Sequence, residues 1–316
     1  RYLSDELTLH YGLVPRTNRG IFAINELPDL AERIQVGMLN VLEERDVQIR
    51  GYKIRLPLDV MLVASANPED YTNRGRLITP LKDRFGSQIR THYPLEVALE
   101  HQIVLQEARP LGVTESADGE VTVQVPDYLG EVVATFSHLA RASNHVNQRS
   151  GVSVRLSVSN YEALAANALR RSLRAGERAA VARVDDLDAL AASSIGKIEI
   201  ESLEEGREGV VFDNLVKGAV LTVFKDRVPP EATLDVVTAF EEGLVAHTGS
   251  DVPTADLVAV AEQVPALRDV ALRLTGGDES PGAVASAVEF VLEGLHLSKR
   301  LNKDASEAGA TYRGRR

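Results

Sequence analysis

The sequence predicts an α/β fold, with a parallel sheet in its first part and helices after it. Two short apolar runs, Ile21–Asn25 and Val60–Ser65, end at polar residues and are typical of buried parallel strands. Apolar residues recur at helical spacing across 29–44 between them, and helical spacing also dominates after Pro94. In folds with this order of elements, ligands bind beyond the carboxyl ends of the strands, so the polar residues there are the first functional candidates.

Two further elements complete the predicted α/β region, which covers residues 1–94. Apolar and polar residues alternate across 45–57, on both sides of Gly51-Tyr52, and this pattern is typical of a β-hairpin. A shorter apolar segment at 88–92 predicts a third strand, and Pro94 closes the region.

Helical regions are predicted over 95–198 and 199–316. The apolar stripes of helical period lie at 95–109, 127–143, 158–175 and 209–226. Alternation favours one strand at 121–125, after a turn at Asp118-Gly119. The last region begins with a charge-rich linker at 199–209, stays helical to about 303, and ends in a tail at 307–316 that we predict to be disordered.

Composition excludes several classes of protein. The chain has 316 residues, of which 44% are hydrophobic and 26% charged, as in ordinary globular proteins. With no cysteine, it cannot form disulfides, thiolate nucleophiles or cysteine-based metal sites, and a reducing, cytoplasmic location is predicted. No apolar run approaches the ~18 residues that span a bilayer, so no membrane contact is expected.

The negative charge lies mainly in the second part of the chain. Residues 1–94 have 13 Lys/Arg and 12 Asp/Glu, whereas the remainder has 22 and 34. This distribution argues against an extended nucleic-acid contact, which needs clustered cations. A solvated acidic surface and a site for a basic partner both remain open as explanations.

The residues at the predicted strand ends have the chemistry that ATP hydrolysis needs. Glu26 follows the first strand, where its carboxylate can hold or polarise an attacking water. Asn25 can offer an amide oxygen to Mg²⁺, and Asn67 at the tip of the second strand can orient the water near the γ-phosphate. The alternatives are a helix-terminal charge for Glu26 and a plain Asn-Pro turn for Asn67.

Two arginines can neutralise charge that develops on the phosphoryl group. Arg84 lies in the segment Pro80–Gly86, and its guanidinium can bridge two phosphate oxygens across a subunit boundary. Arg155 follows Gly151-Val-Ser-Val and heads a helical stretch, from which it can reach the same nucleotide in cis or in trans. A surface pair with Asp83 and a helix-flanking surface arginine are the respective alternatives.

A phosphate-cradling Gly-x4-Gly-Lys-Ser/Thr loop does not occur in the sequence. The Gly196-Lys197 pair has neither the upstream glycine nor the hydroxyl residue that should follow. Because the chain opens on Arg1 rather than Met, we expect a fragment whose nucleotide-cradling start precedes it. The histidines show no metal-ligand spacing.

In their order, these segments resemble Walker B, sensor 1, the arginine finger and sensor 2 of the magnesium-chelatase I-subunit and MoxR branch of AAA+ ATPases. The similar segments are Asn18-Arg-Gly-Ile-Phe-Ala-Ile-Asn-Glu26, Glu43-Glu-Arg-Asp-Val-Gln-Ile-Arg50, Ser65-Ala-Asn-Pro-Glu-Asp70, Leu81-Lys-Asp-Arg-Phe-Gly86, Gly151-Val-Ser-Val-Arg155, Gly176-Glu-Arg178 and Val184-Asp-Asp-Leu187. The resemblance implies a partial AAA+ three-layer core with a parallel sheet over 1–94. A helical lid with sensor 2 follows over 95–198, and a further helical C-terminal region over 199–316.

The resemblance also implies a hexameric ring in which ATP and Mg²⁺ bind between neighbouring subunits. Glu26, Asn67 and Arg84 would be catalytic, and Asn25 and Arg155 would contact the nucleotide. Asn25 would also contact the metal, more weakly than the Asp that is usual at this position. A partner with a von Willebrand A-type domain is implied, with metal insertion or protein remodelling as the outcome.

Two other functions compete with this interpretation. A degenerate AAA+ scaffold that does not hydrolyse ATP is favoured by Asn25 and opposed by the joint presence of the other candidate residues. A sigma-54-type transcription activator would need a Gly-Ala-Phe-Thr-Gly-Ala loop, which is not in the sequence, and a basic helix-turn-helix, which the acidic C-terminal half opposes.

Overall fold

The structure is a computed structural model in which the chain forms two compact units, Arg1–His92 and Tyr93–Arg316. The residues that it describes are 11–48, 55–67, 77–110, 113–116, 119–147, 151–200, 208–306 and 309–315. The tip of the predicted hairpin and the residues Pro68-Glu-Asp70 lie outside these ranges. In the described ranges, no helix has the combined length and apolar character that crossing a bilayer requires.

The N-terminal unit is a small α/β structure. Its elements are helices α1 (Leu13–Arg16), α2 (Glu32–Glu43) and α3 (Thr79–Lys82), and strands β1 (Ile21–Ile24), β2 (Asp46–Gln48), β3 (Arg55–Pro57) and β4 (Met61–Ala64). Strands β1 and β4 pair in parallel, as predicted, with Ile21 opposite Met61 and Ile24 opposite Ala64. The prediction that both strands are buried is wrong, since Ile21 and Met61 are 65% and 64% exposed. Strands β2 and β3 pair antiparallel, which confirms the hairpin.

One face of the β1–β4 pair packs against the helices. Phe22 and Leu62 on this face join a small core with the buried side chains of Leu27, Met38 and Leu81. Helix α2 begins three residues later than the helical spacing suggested, because Leu27–Asp29 form a short 3-10 turn instead. This turn lies directly beyond β1 and sets the direction of the chain at the strand end.

The third strand predicted at 88–92 is wrong. These residues are irregular, and the side chain of Ile89 is 89% exposed. A strand needs a partner for its N–H and C=O groups. In the part of the chain that the structure describes, no strand pairs with this segment.

The C-terminal unit is mainly helical. Its helices are α4 (Val97–Glu107), α5 (Asp127–Ala142), α6 (Val154–Ala175), α7 (Ala189–Ser194), α8 (Glu208–Arg227), α9 (Leu234–Glu241), α10 (Thr254–Gln263), α11 (Pro265–Leu274) and α12 (Pro281–Leu297). Its strands are β5 (Val113–Ser116), β6 (Gly119–Gln124), β7 (Ala179–Val181), β8 (Val245–Thr248), β9 (Leu301–Ser306) and β10 (Gly309–Gly314). They form two sheets, in the orders β5-β6-β7 and β8-β10-β9.

Helix α12 is the centre of this unit. Its side chains are buried on every side from Gly282 to Leu295, as expected of an apolar helix enclosed by others. It packs on α8, where a Cβ atom added at Gly294 would lie 2.1 Å from the Phe224 ring. The close approach of the two helices therefore requires glycine at this position.

Two expectations for residues 199–316 are wrong. The region is not wholly helical, since it contains β8, β9 and β10. The tail predicted to be disordered forms β10, which pairs with both other strands and buries Tyr312. Helix α8 of this region packs along α5, and the two helices share one continuous core. A strand that is held by distant partners carries no strong local signal.

Candidate functional site

The carboxyl ends of β1 and β4 are joined by Ser65, the residue that follows β4. Its backbone N–H donates to the carbonyl of Ile24 (2.9 Å), and its carbonyl accepts from the N–H of Leu27 (2.9 Å). Its side-chain Oγ accepts from the N–H of Glu26 (3.1 Å) and lies 3.4 Å from Asn25 Oδ1, to which the hydroxyl donates. Ser65 therefore continues the parallel pairing past the strands and holds the two residues beyond β1.

Glu26 adopts an unusual backbone conformation. Its φ of 51° and ψ of 54° lie in the left-handed region, which costs free energy for a residue other than glycine. The bond to Ser65 and the buried side chains of Leu27 and Pro28 hold this conformation. The Glu26 side chain is exposed beyond the end of the strand. Residues held in rare conformations cluster at functional sites, which makes Glu26 a candidate.

Asn25 directly precedes Glu26, Asn67 follows β4, and both asparagines are exposed. Asn25 lies one residue past β1, and its amide oxygen is oriented by Ser65. Asn67 lies three residues past β4, at the same end of the parallel pair. The structure thus brings three of the predicted site residues to one sheet end, as expected for neighbouring parallel strands.

Arg84 is engaged with the end of α2. Its Nε and Nη2 donate to one carboxylate oxygen of Glu43 (2.8 and 2.5 Å), and its Nη1 donates to the carbonyl of Pro80 (2.7 Å). Glu43, and not the neighbouring Asp83, is therefore the ion partner, so the surface pair expected from sequence involves a different carboxylate. The buried Gln35 braces this region, since its amide bonds both Leu30 and the segment before α3.

Arg155 belongs to the C-terminal unit. It lies in the first turn of α6, and its N–H donates to Oγ of the N-cap residue Ser153 (3.2 Å). Its side chain is exposed. A cation in the first turn of a helix opposes the helix dipole. Because Arg155 does not stabilise α6 at this position, its placement favours a role in binding an anion.

A buried ionic cluster anchors the start of α6, and the sequence patterns did not indicate it. Glu100 is completely buried and receives both terminal nitrogens of Arg141, with Oε1 also accepting from the Ser157 hydroxyl. Arg141 donates in addition to the carbonyl of Val152 (2.8 Å) and lies over the Tyr93 ring. The segment that leads to Arg155 is thereby tied to α4 and α5.

Part of the chain is similar to known proteins. Residues 5–85 match the family described as the sigma-54 interaction domain. Over 95 residues, the chain is 35% identical to the magnesium-chelatase 38 kDa subunit of Cereibacter sphaeroides, an alignment that covers 29% of this chain and 27% of that protein. Over 97 residues, it is 36% identical to the magnesium-chelatase subunit ChlI of Anabaena variabilis. This alignment covers 30% of this chain and 28% of that protein. Over less than a third of its length, the chain is therefore similar to AAA+ ATPases of the magnesium-chelatase branch.

A transcriptional regulator is also similar. Over 117 residues, this chain is 29% identical to the hydrogenase transcriptional regulatory protein HoxA of Cupriavidus necator, an alignment that covers 32% of this chain and 23% of HoxA. The chain spans about a quarter of the length of the curated relatives it matches. The family match covers β1, β4 and α3 of the N-terminal unit and ends before Arg155.

The groups at the carboxyl ends of β1 and β4 are suited to binding a nucleotide together with Mg²⁺. Proteins hold Mg²⁺ with one or two carboxylates, together with waters and substrate phosphates. The Glu26 carboxylate and the oxygens of Asn25 and Ser65 are hard donors of this kind, and Ser65 already orients both neighbours. The described ranges contain no cluster of three or more His, Cys, Asp or Glu residues that could enclose a metal ion. The donor set therefore fits an ion that is held mainly by phosphates.

The sequence patterns did not indicate three side chains that hold the N-terminal unit together, namely Ser65, Glu43 and Gln35. Ser65 was included in a strand without a role, although a hydroxyl directly after a strand is a signal that could have indicated one. Glu43 and Gln35 had no such signal, because their partners lie about forty residues away in the chain.

Proposed function

We propose that this AAA+ chain provides catalytic residues of an ATP-hydrolysing ring subunit of magnesium-chelatase or MoxR type. The observation that carries the proposal is the exposed Glu26 carboxylate in a left-handed conformation at the end of a parallel strand, held by Ser65 of the neighbouring strand. A carboxylate on a rigid backbone beyond a strand end can hold an attacking water in line with a γ-phosphate.

In this proposal, the two asparagines complete the water and metal environment. Asn25 contacts Mg²⁺ through its amide oxygen or through a water, and Asn67 orients the attacking water from the adjacent strand end. Mg²⁺ supplies charge neutralisation at the phosphates when it is bound. Glu26 then accepts or directs the proton of the water at its carboxylate oxygen.

Arg84 acts in trans, and Arg155 contacts the nucleotide from the lid. Arg84 must leave Glu43 to reach a phosphate of the neighbouring subunit, since its donors are engaged within the subunit. A charged phosphoryl group is a suitable replacement, because a guanidinium bonds phosphate and carboxylate in the same bidentate manner. A homo-oligomeric ring, with a hexamer as the expected size, follows from this role.

The work of the ring is metal insertion or the remodelling of a partner protein, with a von Willebrand A-type domain protein as the expected partner. The similarity to magnesium-chelatase subunits supports this choice. A sigma-54-type activator is the second candidate, since the matched family is the sigma-54 interaction domain and HoxA is a transcriptional regulator. Against it, the acidic C-terminal half of the chain does not favour a basic helix-turn-helix.

The test is the substitution Glu26→Gln in the natural protein that contains these residues. Gln keeps the size of the side chain but cannot accept a proton, so we expect ATP turnover to fall by about a hundredfold or more, with ATP binding largely unchanged. Glu32→Gln, which removes an exposed carboxylate in the first turn of α2, is the matched control and should retain full turnover.

Three outcomes separate the candidate functions. ATP turnover in Glu26→Gln close to that of the unsubstituted protein contradicts the assigned role of Glu26. No turnover in the unsubstituted protein, with intact ATP binding, favours the scaffold. Turnover that depends on sigma-54 polymerase, rather than on a von Willebrand A-type partner, favours the activator.

A further inference from the structure

A cleft of ≈ 580 Å³ lies inside the C-terminal unit, apart from any residue proposed above for ATP. Its walls come from the 3-10 turn Val184–Asp188, helices α8 and α12, and the β8-β10-β9 sheet. The volume falls within the range of small-molecule pockets, about 300–1,000 Å³.

The cleft is rich in carboxylates. Those that line it are Asp185, Asp188, Asp213, Glu289 and Glu293, and the lysines on its described walls are Lys217 and Lys303. Lys303 is already paired, since its Nζ lies 2.7 Å from Oε2 of Glu293, which also accepts from the Tyr312 hydroxyl. The remaining four carboxyl groups face one lysine, so the cleft has a surplus of negative charge whenever these groups are ionised.

Glu289 lines this space and has one buried carboxylate oxygen without a hydrogen-bond partner in the described part of the chain. The residue is 2% exposed, and its Oε1 accepts from the N–H of Asp185 (2.8 Å). Its Oε2 is the oxygen that lacks a partner among the described residues. The nearby Arg183 does not fill this role, because its guanidinium donates to the Val252 carbonyl and the Thr254 hydroxyl. A buried carboxylate oxygen without a donor is costly, and a ligand that brings a donor removes this cost.

The pKa values of the cleft carboxyls show that a bound cation would change their ionisation. Burial raises the pKa of the Glu289 carboxyl from 4.5 to about 8, against the opposing effect of Arg183. Burial also raises the pKa of Asp185 and of Asp188, with repulsion from Asp188 and Asp213 respectively as the next contribution. A bound cation would stabilise the ionised form of all three carboxyls.

The residues that line the cleft favour an organic cation over a metal ion. The described residues contain no group of three or more His, Cys, Asp or Glu side chains close enough to hold a metal. The α8 wall is largely apolar, with Phe212, Val216 and Val220. Such a wall suits an aliphatic stem, and the separated carboxylates suit a planar cation with several donors.

We propose that this cleft binds a guanidinium or ammonium group on an aliphatic stem, as in an Arg or Lys side chain of a basic peptide or in a free polyamine. Glu289 is the central acceptor, and Asp185 and Asp188 complete the negative rim. The site would give the acidic C-terminal half of the chain a basic ligand. It does not depend on ATP or on the proposed catalytic residues.

Calorimetry on the unsubstituted chain, with small probes, tests this proposal. The probes are acetyl-arginine amide, its uncharged isostere acetyl-citrulline amide, an arginine-containing tetrapeptide, and spermidine. We expect the arginine probe to bind and the citrulline probe not to bind, because citrulline lacks the charge that the carboxylates attract. Tighter binding of the tetrapeptide than of spermidine identifies a peptide as the source of the cation, and the reverse identifies a polyamine.

Substitutions locate the binding. A charge-assisted hydrogen bond contributes about 1.5–3 kcal/mol, so Glu289→Gln should weaken binding of the arginine probe by about tenfold or more. The control Asp269→Asn removes an exposed carboxylate on α11 and should change the affinity by less than about twofold. Asp188→Asn, at an exposed position of the rim, should give an intermediate loss and serves if Glu289→Gln fails to fold.

Equal binding of the citrulline probe, equal effects of Glu289→Gln and Asp269→Asn, or no binding of any cationic probe at millimolar concentration would each overturn the proposal.

Discussion

At the scale of single residues, two glutamates are held in unfavourable states for different reasons. Glu26 has a left-handed backbone that Ser65 and a buried Leu27-Pro28 pair maintain. Glu289 is a carboxyl enclosed in the core helix of the other unit, with one oxygen unsatisfied. For Glu26, the unfavourable free energy comes from the backbone conformation, and the side chain remains exposed. For Glu289, it comes from burial of the ionised carboxyl group, so the stability of the protein depends on pH.

The pH dependence of stability follows from the Glu289 carboxyl. Its pKa is raised by burial to about 8 in the folded protein, against 4.5 ordinarily. Between these values the folded state keeps a proton that the unfolded state releases, so stability falls as pH rises from 4.5 to about 8. Asp185 and Asp188, whose pKa values burial also raises, act in the same direction, whereas Arg183 opposes it.

Glu289→Gln removes this titration, and its amide oxygen can still accept from the Asp185 N–H. We therefore expect the melting temperature of the unsubstituted chain to fall between pH 5 and pH 8 more steeply than that of the variant. Differential scanning calorimetry across this range makes the measurement. Asp269→Asn should keep the slope of the unsubstituted chain, and identical slopes in all three proteins would contradict the assignment.

At the scale of elements, the contact between α8 and α12 decides how the C-terminal unit packs. Gly294 allows the Phe224 ring to lie against the α12 backbone, and Phe224 in turn packs near the ring of Phe290. A methyl group at position 294 would overlap the ring, which must then move within a closely packed core. Overpacking of this kind is felt through the whole unit because its core is continuous.

Gly294→Ala should accordingly destabilise the chain by about 1–3 kcal/mol. For a unit of this size, about 2–4 °C of melting temperature is lost for each kcal/mol, and thermal denaturation followed by circular dichroism will measure it. Gly209→Ala is the matched control, since nothing lies within 4 Å of a Cβ at this position in the first turn of α8. It should leave stability unchanged or raise it slightly. An unaltered melting temperature in Gly294→Ala would show that the two helices are farther apart.

At the scale of the whole molecule, the ring proposal depends on where Arg84 acts. Within one subunit, its donors are bonded to Glu43 and Pro80. A trans-acting arginine predicts that Arg84→Ala and Glu26→Gln subunits, each inactive alone, recover part of the ATP turnover when mixed. Recovery is expected because one kind of interface in the mixed ring combines an intact Glu26 with an intact Arg84 of the neighbour.

Glu43→Gln separates this role from a structural one. If Arg84 serves mainly to brace α2, removal of the Glu43 charge should be as damaging to turnover as Arg84→Ala. If Arg84 reaches a neighbouring nucleotide, Glu43→Gln should retain turnover, because it frees the guanidinium. Persistent inactivity of mixed rings that demonstrably form would argue against a finger and for the Glu43 contact as the function of Arg84.

The local elements of the first unit can be predicted from the amino-acid sequence alone. The strands at 21–25 and 60–65, the helix across 29–44 and the hairpin at 45–57 were predictable, because apolar periodicity and polar strand ends are local signals. The position of Glu26 beyond a parallel strand, and of Asn25 beside it, followed from the same signals.

Only the tertiary structure decided the partners that lie far apart in the chain. Ser65 with Glu26, Arg84 with Glu43, and Asp185 with Glu289 are such pairs. The strand β10 exists because β8 and β9 supply its hydrogen bonds, and the segment at 88–92 is irregular where no described strand does so. Periodicity reports which face of an element is apolar, whereas the identity of the groups that meet is set by packing across the chain, which is why the acidic cleft emerged only from the fold.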